Sequence, residues 1–513
     1  MSVAEWSQKL SVLSKGLPQC SADLPPAKSR DIAIEGVSDV PHAPKRNPNL
    51  TSDEFRQAVK NVLRYFPQEL HATLAPEFAA ELKEYGHIYC YRLLPEFLLK
   101  AAPVEAFPAK TQQARCIMHM ICNNLSNEVA QFPRELITYG GNGSVFNNWA
   151  QFWLVMQYLS EMTQEQTLVM NSGHPQGLYP SHADAPRCVL TNGMVVPNWS
   201  TLPDYERMYA MCNTMYGQMT AGSWCYIGPQ GIVHGTTLTL LNGARKYLDL
   251  EDMSGVCYVS SGLGGMSGAQ GKAAVICGAV TIIAEVDPAA MHKRHEQGWV
   301  QRWSSNLDEV IQWAIDAKKS KQALSIAYLG NVVDLWERLV EEAKKGNKVA
   351  DLGSDQTSLH NPYGGGYYPV QLSFEESQRC MVEEPERFKQ LVQESLRRQF
   401  AAINALSDEH GLKWWDYGNS ALLEASRAGA AVENTDENNK LQVFKYPSYV
   451  EDIMGDIFAL GFGPFRWVCC SGSAEDLRKT DEIAAEVMRR HIAHLEKENT
   501  PVNERTLAQY RDN

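Results

Sequence analysis

Between Val256 and Asp287 the chain reads VCYVSSGLGGMSGAQGKAAVICGAVTIIAEVD. Gly262 and Gly264 occupy the first two positions of a G-x-G-x-x-G/A pattern, and Ser267, still small, takes the third. Glycines at such positions permit a tight turn and let backbone N–H groups approach an anion at the start of the following helix. The pattern predicts a strand, the turn, a small-residue helix over GAQGKAAVICGAV that can pack close to a sheet, and a second strand ending in Glu285. A carboxylate about twenty residues beyond the glycines can accept a hydrogen bond from an adenosine ribose hydroxyl. Strand, glycines, helix, strand and acid together point to a dinucleotide. A glycine pattern alone would equally describe a close-packed crossover with no ligand.

Two later loops sit where strands end, the edge at which open parallel sheets bind ligands. YLGNVVDL places Asn331 at one strand end; GSDQTSLHNPYGGGYYPV carries Gln356, Thr357, Ser358, His360 and a triple glycine, donors and backbone suited to phosphate or amide groups. Four further glycine loops crowd into residues 136–235: YGGNGSVFNNW, SGHPQGLYPSH, TNGMVVPNWS and YGQMTAGSWCYIGPQGIVHGTT. Asn, Gln, His, Ser and Thr stand beside their glycines, as a polar ligand site needs. There is no G-x-S-x-G elbow, H-E-x-x-H, Walker loop or paired-carboxylate signature. The twelve cysteines are scattered without a C-x-x-C pair, and the adjacent Cys469 and Cys470 suit neither an ordinary disulfide nor a zinc knuckle. They read as small buried hydrophobes in a reducing, cytoplasmic setting, and no metal site is expected.

These residues need a scaffold. Residues 1–50, rich in Pro, Ser and Lys, read as an extended arm. Helical periodicity begins at SDEFRQAVKNVLRYFP, whose Ser and Asp read as the cap, and continues through PEFAAELKEYG and TQQARCIMHMICNNLSNEV. From about residue 250 to 440, strands GVCYVSSG, AVTIIAEVD, LSIAYLGN and KVADLGSD alternate with helical segments, which implies a parallel sheet covered on both faces. The expected class is α/β: a Rossmann-like parallel-sheet domain inserted in a mixed α+β core domain, with a helical N-terminal extension. The expected boundaries are 1–134 for the arm and helices, 135–228 for the first part of the glycine-loop core, 229–443 for the dinucleotide domain and 444–513 for the start of a C-terminal core segment. That last part ends in a charged helix, AEDLRKTDEIAAEVMRRHIAHLEKENT.

At 513 residues, 44% hydrophobic and 21% charged, the composition is that of an ordinary globular protein. A net charge of −13 argues against a nucleic acid as main partner. No run of eighteen uncharged apolar residues suggests a membrane span, and the N-terminus lacks the apolar core of a signal peptide. From the residues alone the default reading is an NAD-dependent dehydrogenase.

The loops taken together resemble the urocanase family. The matching stretches are YGGNGSVFNNWAQ, SGHPQGLYPSHADAPRCVLTNGMVVPNWS, YGQMTAGSWCYIGPQGIVHGT, GLGGMSGAQ, GNVVDL, SDQTSLHNPYGGGYYP, DYGNSALLEA and GFGPFRWVCCSG, in family order over roughly residues 135 to 480. The resemblance implies a cytoplasmic homodimer of histidine degradation that adds water to urocanate, giving 4-imidazolone-5-propanoate. It implies tightly bound NAD+ that is not consumed, its nicotinamide serving as an electrophile rather than a hydride carrier.

The resemblance also implies the dinucleotide contacts: Gly140 and Gly141; Gln218; Gly265, Met266 and Ser267, the serine replacing a glycine; Glu285; Asn331 and Val332; Gln356, Thr357, Ser358, Leu359 and His360; Tyr367 and Tyr368; and Tyr417. A basic residue of bacterial members falls on Ala290 here, with Lys293 or Arg294 as its expected substitutes. Arg466 is a candidate for the substrate carboxylate, since an arginine–carboxylate pair is strong. No residue is assigned as general acid or base. Family chains continue past the point where this one stops, so an NAD-binding protein without turnover is the alternative to an active hydratase.

Overall fold

The computed structural model describes residues 1–18, 27–139, 143–144, 146–191, 201–215, 224, 230–418, 420–434, 443–463, 469–498 and 501–513. The chain divides into two compact units, residues 1–227 with 468–478, and residues 228–467 with 479–513.

The first unit begins with a helix where an extended arm is expected. Helix α1 (Val3–Leu10) starts at a capping box: the Ser2 side chain accepts from the Glu5 N–H, and the Ser2 N–H donates to the Glu5 carboxylate at 2.6 Å. Leu10 and Leu13 are fully buried, which anchors the segment. Helix α2 (Ser52–Leu63) is capped by Thr51, one residue before the expected Ser/Asp cap, because Thr51 and Glu54 form the same reciprocal box. Helices α3 (His71–Tyr85), α4 (Gln112–Asn124) and α5 (Trp149–Glu161) bury Phe78, Ile121, Phe152 and Met156 in one core. A short antiparallel pair, β1 (Ile137–Tyr139) and β2 (Gly143–Ser144), precedes α5. A three-stranded sheet follows, β3 (Gln166–Asn171) between β4 (His174–Pro180) and β5 (Cys188–Thr191), and then helix α6 (Leu202–Ala210).

The core of this unit holds an acid. Glu81 on α3 accepts N–H bonds from Cys90 (2.9 Å) and Tyr91 (3.0 Å), and desolvation pushes its pKa up to about 8. The unfolded chain ionises this carboxyl near 4.5. Between those two values the folded state carries the extra proton, so its contribution to stability declines as pH rises. Denaturant melts from pH 5 to 8.5 are expected to show that decline in the parent, and a flatter profile in Glu81→Gln, whose amide cannot ionise.

The second unit opens with helix α7 (Gln230–Leu248) and is built on a six-stranded, all-parallel sheet. Its strands are β6 (Cys257–Ser261), β7 (Val280–Glu285), β8 (Arg302–Ser304), β9 (Leu324–Leu329), β10 (Leu352–Asp355) and β11 (Lys413–Asp416), in spatial order β11-β10-β6-β7-β9-β8. The central strands are buried along nearly their whole length, polar residues included, because both faces are covered. Alternation along β11 sends Trp414 into one core with Trp336 and Phe400, and Trp415 into another with Tyr258 and Leu352. Helices α8 (Ala269–Ile276), α9 (Pro288–Glu296), α10 (Leu307–Ser320) and α11 (Val332–Lys344) follow β6, β7, β8 and β9. Helices α12 (Phe374–Glu383) and α13 (Pro385–His410) connect β10 to β11. The chain builds outward from β6 through β7, then returns to lay β10 on the other side of β6. That reversal opens a crevice beyond the carboxyl ends of β6 and β10. The expected charged helix forms over Ala474–Glu498. Among the described residues no helix is long and apolar enough to cross a membrane.

Candidate functional site

The glycine turn fills the gap between β6 and α8. Gly262 has φ +88°, a conformation natural only to glycine, and its N–H donates to Ala284 O at 2.8 Å. At Gly264 and Gly265 an added Cβ would meet nothing within 4 Å. Both line a cavity of about 270 Å³ beyond the ends of β6, β7 and β9. Behind the turn the packing is tight: a Cβ on Gly271 of α8 would lie 2.8 Å from Trp299 O. The small-residue helix expected from the sequence is therefore needed for close approach to the sheet.

Glu285 stands on the cavity wall at the end of β7. Its carboxylate accepts from Leu263 N–H at 2.6 Å and from Asp287 N–H at 3.0 Å. Burial raises its pKa, and the two N–H bonds oppose that shift. The acid thus clasps the glycine turn and remains at the cavity surface, where a ribose diol could meet it.

Asn331 caps α11, accepting from Val333 N–H at 2.9 Å, while its amide donates to Tyr368 O at 2.9 Å. One side chain therefore joins the end of β9 to the segment after the triple glycine. Gly365 has φ +94°, and a Cβ on Gly366 would lie 2.7 Å from both Asn361 O and Ser358 O, so this segment folds closely on itself. Asp355 at the end of β10 accepts from Ser358 N–H at 3.1 Å, from the Ser358 hydroxyl, and from Ser261 Oγ at 3.2 Å. Desolvation pushes its pKa up to about 6, with the Asp416 charge on the neighbouring strand acting in the same direction. Ser267 and Thr357 share a hydrogen bond between their hydroxyls. The 356–360 loop is thereby tied directly to the glycine turn, and through Asp355 to the end of β6.

Among the residues singled out from the sequence, Gly265, Met266 and Ser267 line the cavity with Glu285, Asn331 and Val332. Thr357, Ser358, Tyr367 and Tyr368 complete that set. Gln356 is buried behind the wall, its amide donating to Thr236 Oγ1 at 3.1 Å. Leu359 is fully buried in the core, and His360 is exposed and is not among the lining residues. Tyr417 is buried beside Trp415 and Tyr449 rather than at the cavity. The loop turns at this point, with His360 N–H donating to Thr357 O at 3.2 Å, so the consecutive Thr357 and Ser358 line the cavity while Gln356 and Leu359 are buried. Gly140, Gly141, Gln218 and Arg466 lie outside the described residues.

Ala290 does line the cavity, but the expected substitutes for its basic counterpart do not reach it. Lys293 is exposed, and Arg294 is buried behind the turn. Asp355, Ser261 and Asp287 are parts of the site that the sequence reading passed over. Asp355 was legible only as the acid opening DQTS at a strand end; nothing local distinguishes Ser261 from a core serine.

The arrangement can cradle a diphosphate on the Gly264–Gly265 backbone and a ribose on Glu285, so the residues present fit a dinucleotide. Among the described residues no cluster of three or more His, Cys, Asp or Glu could hold a metal ion.

Comparison with known proteins covers nearly the whole chain. Residues 99–225 match the model described as "Urocanase N-terminal domain", residues 228–453 "Urocanase Rossmann-like domain", and residues 456–508 "Urocanase C-terminal domain". A "Probable urocanate hydratase" of Dictyostelium discoideum is 61% identical over 482 residues, covering 94% of this chain and 70% of that protein. A "Urocanate hydratase" of Homo sapiens is 58% identical over 485 residues, with the same shares. A "Probable urocanate hydratase" of Caenorhabditis elegans is 54% identical over 477 residues, 93% of this chain and 69% of that protein.

Proposed function

The chain belongs to the urocanase family, and from that premise we propose that it is a urocanate hydratase holding NAD+ in the crevice of its parallel sheet. It is an enzyme, a hydro-lyase. The reaction is addition of water to urocanate, giving 4-imidazolone-5-propanoate in histidine degradation, by a homodimer in the cytoplasm. The observation that carries the reading is 54–61% identity to urocanate hydratases across at least 93% of this chain. The cradle of Gly264, Gly265 and Glu285 supports the choice of cofactor.

NAD+ bound there would supply a cationic ring that draws electron density from the substrate's imidazole. The chain's own residues position and exclude. The amides at Gly264 and Gly265 face the diphosphate, and Glu285 accepts from the adenosine ribose. Asn331, Thr357 and Ser358 hold the wall in register, and Tyr367 and Tyr368 line it. Gly140, Gly141 and Gln218 remain in the proposed dinucleotide contact set, and Arg466 is proposed for the substrate carboxylate.

The test is direct. Purified full chain is mixed with urocanate while its near-ultraviolet absorbance and the nicotinamide redox state are followed together. Loss of absorbance without NADH accumulation is expected. A folded, NAD-loaded sample that leaves urocanate untouched would reject the activity, and NADH accumulating with an alcohol or hydroxy acid would favour a dehydrogenase. Native mass measured after gentle purification is expected at two chains with retained dinucleotide.

A further inference from the structure

The buried guanidinium behind the glycine turn has a geometry that bears on anion binding. Arg294, on α9, is 7% exposed. Its Nε donates to Leu263 O at 3.0 Å and one terminal nitrogen to Gly264 O at 2.7 Å. The other terminal nitrogen donates to Gln297 Oε1 at 2.7 Å, and the guanidinium lies over the Trp299 ring, 4.9 Å from its centroid. Gln297 and Trp299 thus hold the side chain from two sides, apart from its bonds to the turn. It also presses against Gly268, where an added Cβ would fall 2.2 Å from Arg294 Nε and 2.5 Å from Gly264 O.

The two carbonyls it grips belong to consecutive peptide units. The chain has no cis peptide among the described residues. In a trans peptide the N–H points opposite to the C=O. Drawing Leu263 O and Gly264 O back onto Arg294 therefore turns the N–H groups of Gly264 and Gly265 away from it. Those are the two residues of the turn whose missing side chains leave open space at the cavity wall. On the opposite flank Glu285 holds Leu263 N–H at 2.6 Å, so the Leu263 residue is pinned at both its amide and its carbonyl. The charge of the guanidinium sits one peptide layer behind the wall, where its field also favours an anion in front.

We propose that Arg294 is a positioning residue that aims the Gly264 and Gly265 amides at the dinucleotide's diphosphate, acting through the backbone and never touching the ligand. The inference rests on the dinucleotide reading above and goes beyond it by separating the diphosphate from the adenosine. Lysine retains the charge but has a single nitrogen and cannot hold two carbonyls in one planar fork. Arg294→Lys is therefore expected to weaken binding of diphosphate-containing ligands specifically.

The experiment uses the full chain freed of dinucleotide by charcoal and titrated calorimetrically with ADP-ribose and, separately, with adenosine. For Arg294→Lys the expected result is about ten-fold weaker ADP-ribose binding with adenosine affinity unchanged. A purely structural role would weaken both ligands alike, and that outcome overturns the inference, as does an unchanged affinity for ADP-ribose. If Arg294→Lys does not fold, as judged by its thermal melt, Arg294→Gln takes its place with the same criterion. A parent chain that binds neither NAD+ nor ADP-ribose overturns the dinucleotide reading together with this one, whereas a parent that binds both isolates the result to Arg294.

Discussion

A Gly265→Leu chain is expected to fold and melt like its parent and yet to lose its dinucleotide. The reason is that Gly265 is open where most glycines of a tight turn are not. Its φ is outside the left-handed range, so the backbone accepts an L side chain, and an added Cβ meets no atom within 4 Å. That open space is the cavity itself. A leucine would place its branched end where the diphosphate must lie, displacing hydrogen bonds worth together about 3 kcal/mol or more, which is an affinity loss of at least about 100-fold. Gly262→Ala is the contrasting control. Its φ of +88° and a Cβ only 3.0 Å from Ser267 Cβ make the substitution strained, so here stability should fall by about 1–2 kcal/mol. The readouts are dinucleotide released per chain after gel filtration and the thermal melt. A Gly265→Leu protein that retains a full complement of NAD+ would remove the diphosphate from this turn.

Substitution of Glu285 should cost both binding and stability. In Glu285→Ala the N–H groups of Leu263 and Asp287 lose their acceptor. Leaving buried donors without partners costs about 1–3 kcal/mol, and loss of the ribose acceptor adds about ten-fold or more in affinity. Glu285→Gln separates the two effects, since its carbonyl oxygen can keep one of the N–H bonds while the charge is gone. Burial raises the Glu285 pKa, so its protonated form takes over at a higher pH than in an exposed glutamate. NAD+ affinity in the parent should consequently weaken on mild acidification, beginning above the usual carboxylate range, while Glu285→Gln shows no such slope from this position. Titrations with NAD+ between pH 4.5 and 8 check this. Equal affinities for the parent and Glu285→Ala would contradict the assignment of Glu285 to the ribose.

The parts of the site that could be read from the chain alone are those whose chemistry is local. A strand that ends in glycines, a helix of small residues and a strand ending in an acid lie within about thirty residues of one another, the length of a βαβ unit. Each needs only its own backbone conformation or its own packing. Asn331 was legible only as a polar side chain at a strand end; that it caps α11 while bonding to Tyr368 O is set by the fold. Helix starts were less secure: Thr51 rather than Ser52 caps α2, and Ser2 with Glu5 builds a helix in a segment whose composition suggested an arm. In both cases a reciprocal pair three residues apart outweighed the average character of the surrounding stretch.

The order of β6 and β10 was a matter for the whole fold. Ser261 and Asp355 are 94 residues apart, and they meet only because the chain reverses direction across the sheet and lays β10 against β6. Arg294 carried the same ambiguity. Its position after Glu285 suggested a reach toward phosphate, but the pitch of α9 and the ring of Trp299 turn it behind the turn, onto the carbonyls. Gln356, Leu359 and His360 share a loop with Thr357 and Ser358, yet side-chain direction sends only the latter pair to the cavity. The sequence by itself determined the α/β class, the glycine turn and its acid, and the kinship of the chain, because backbone freedom, periodicity and residue order are properties of short stretches. Which side chains face the ligand and which brace the wall was decided only by tertiary structure, since strand order and helix rotation set direction, and direction depends on contacts between residues distant along the chain.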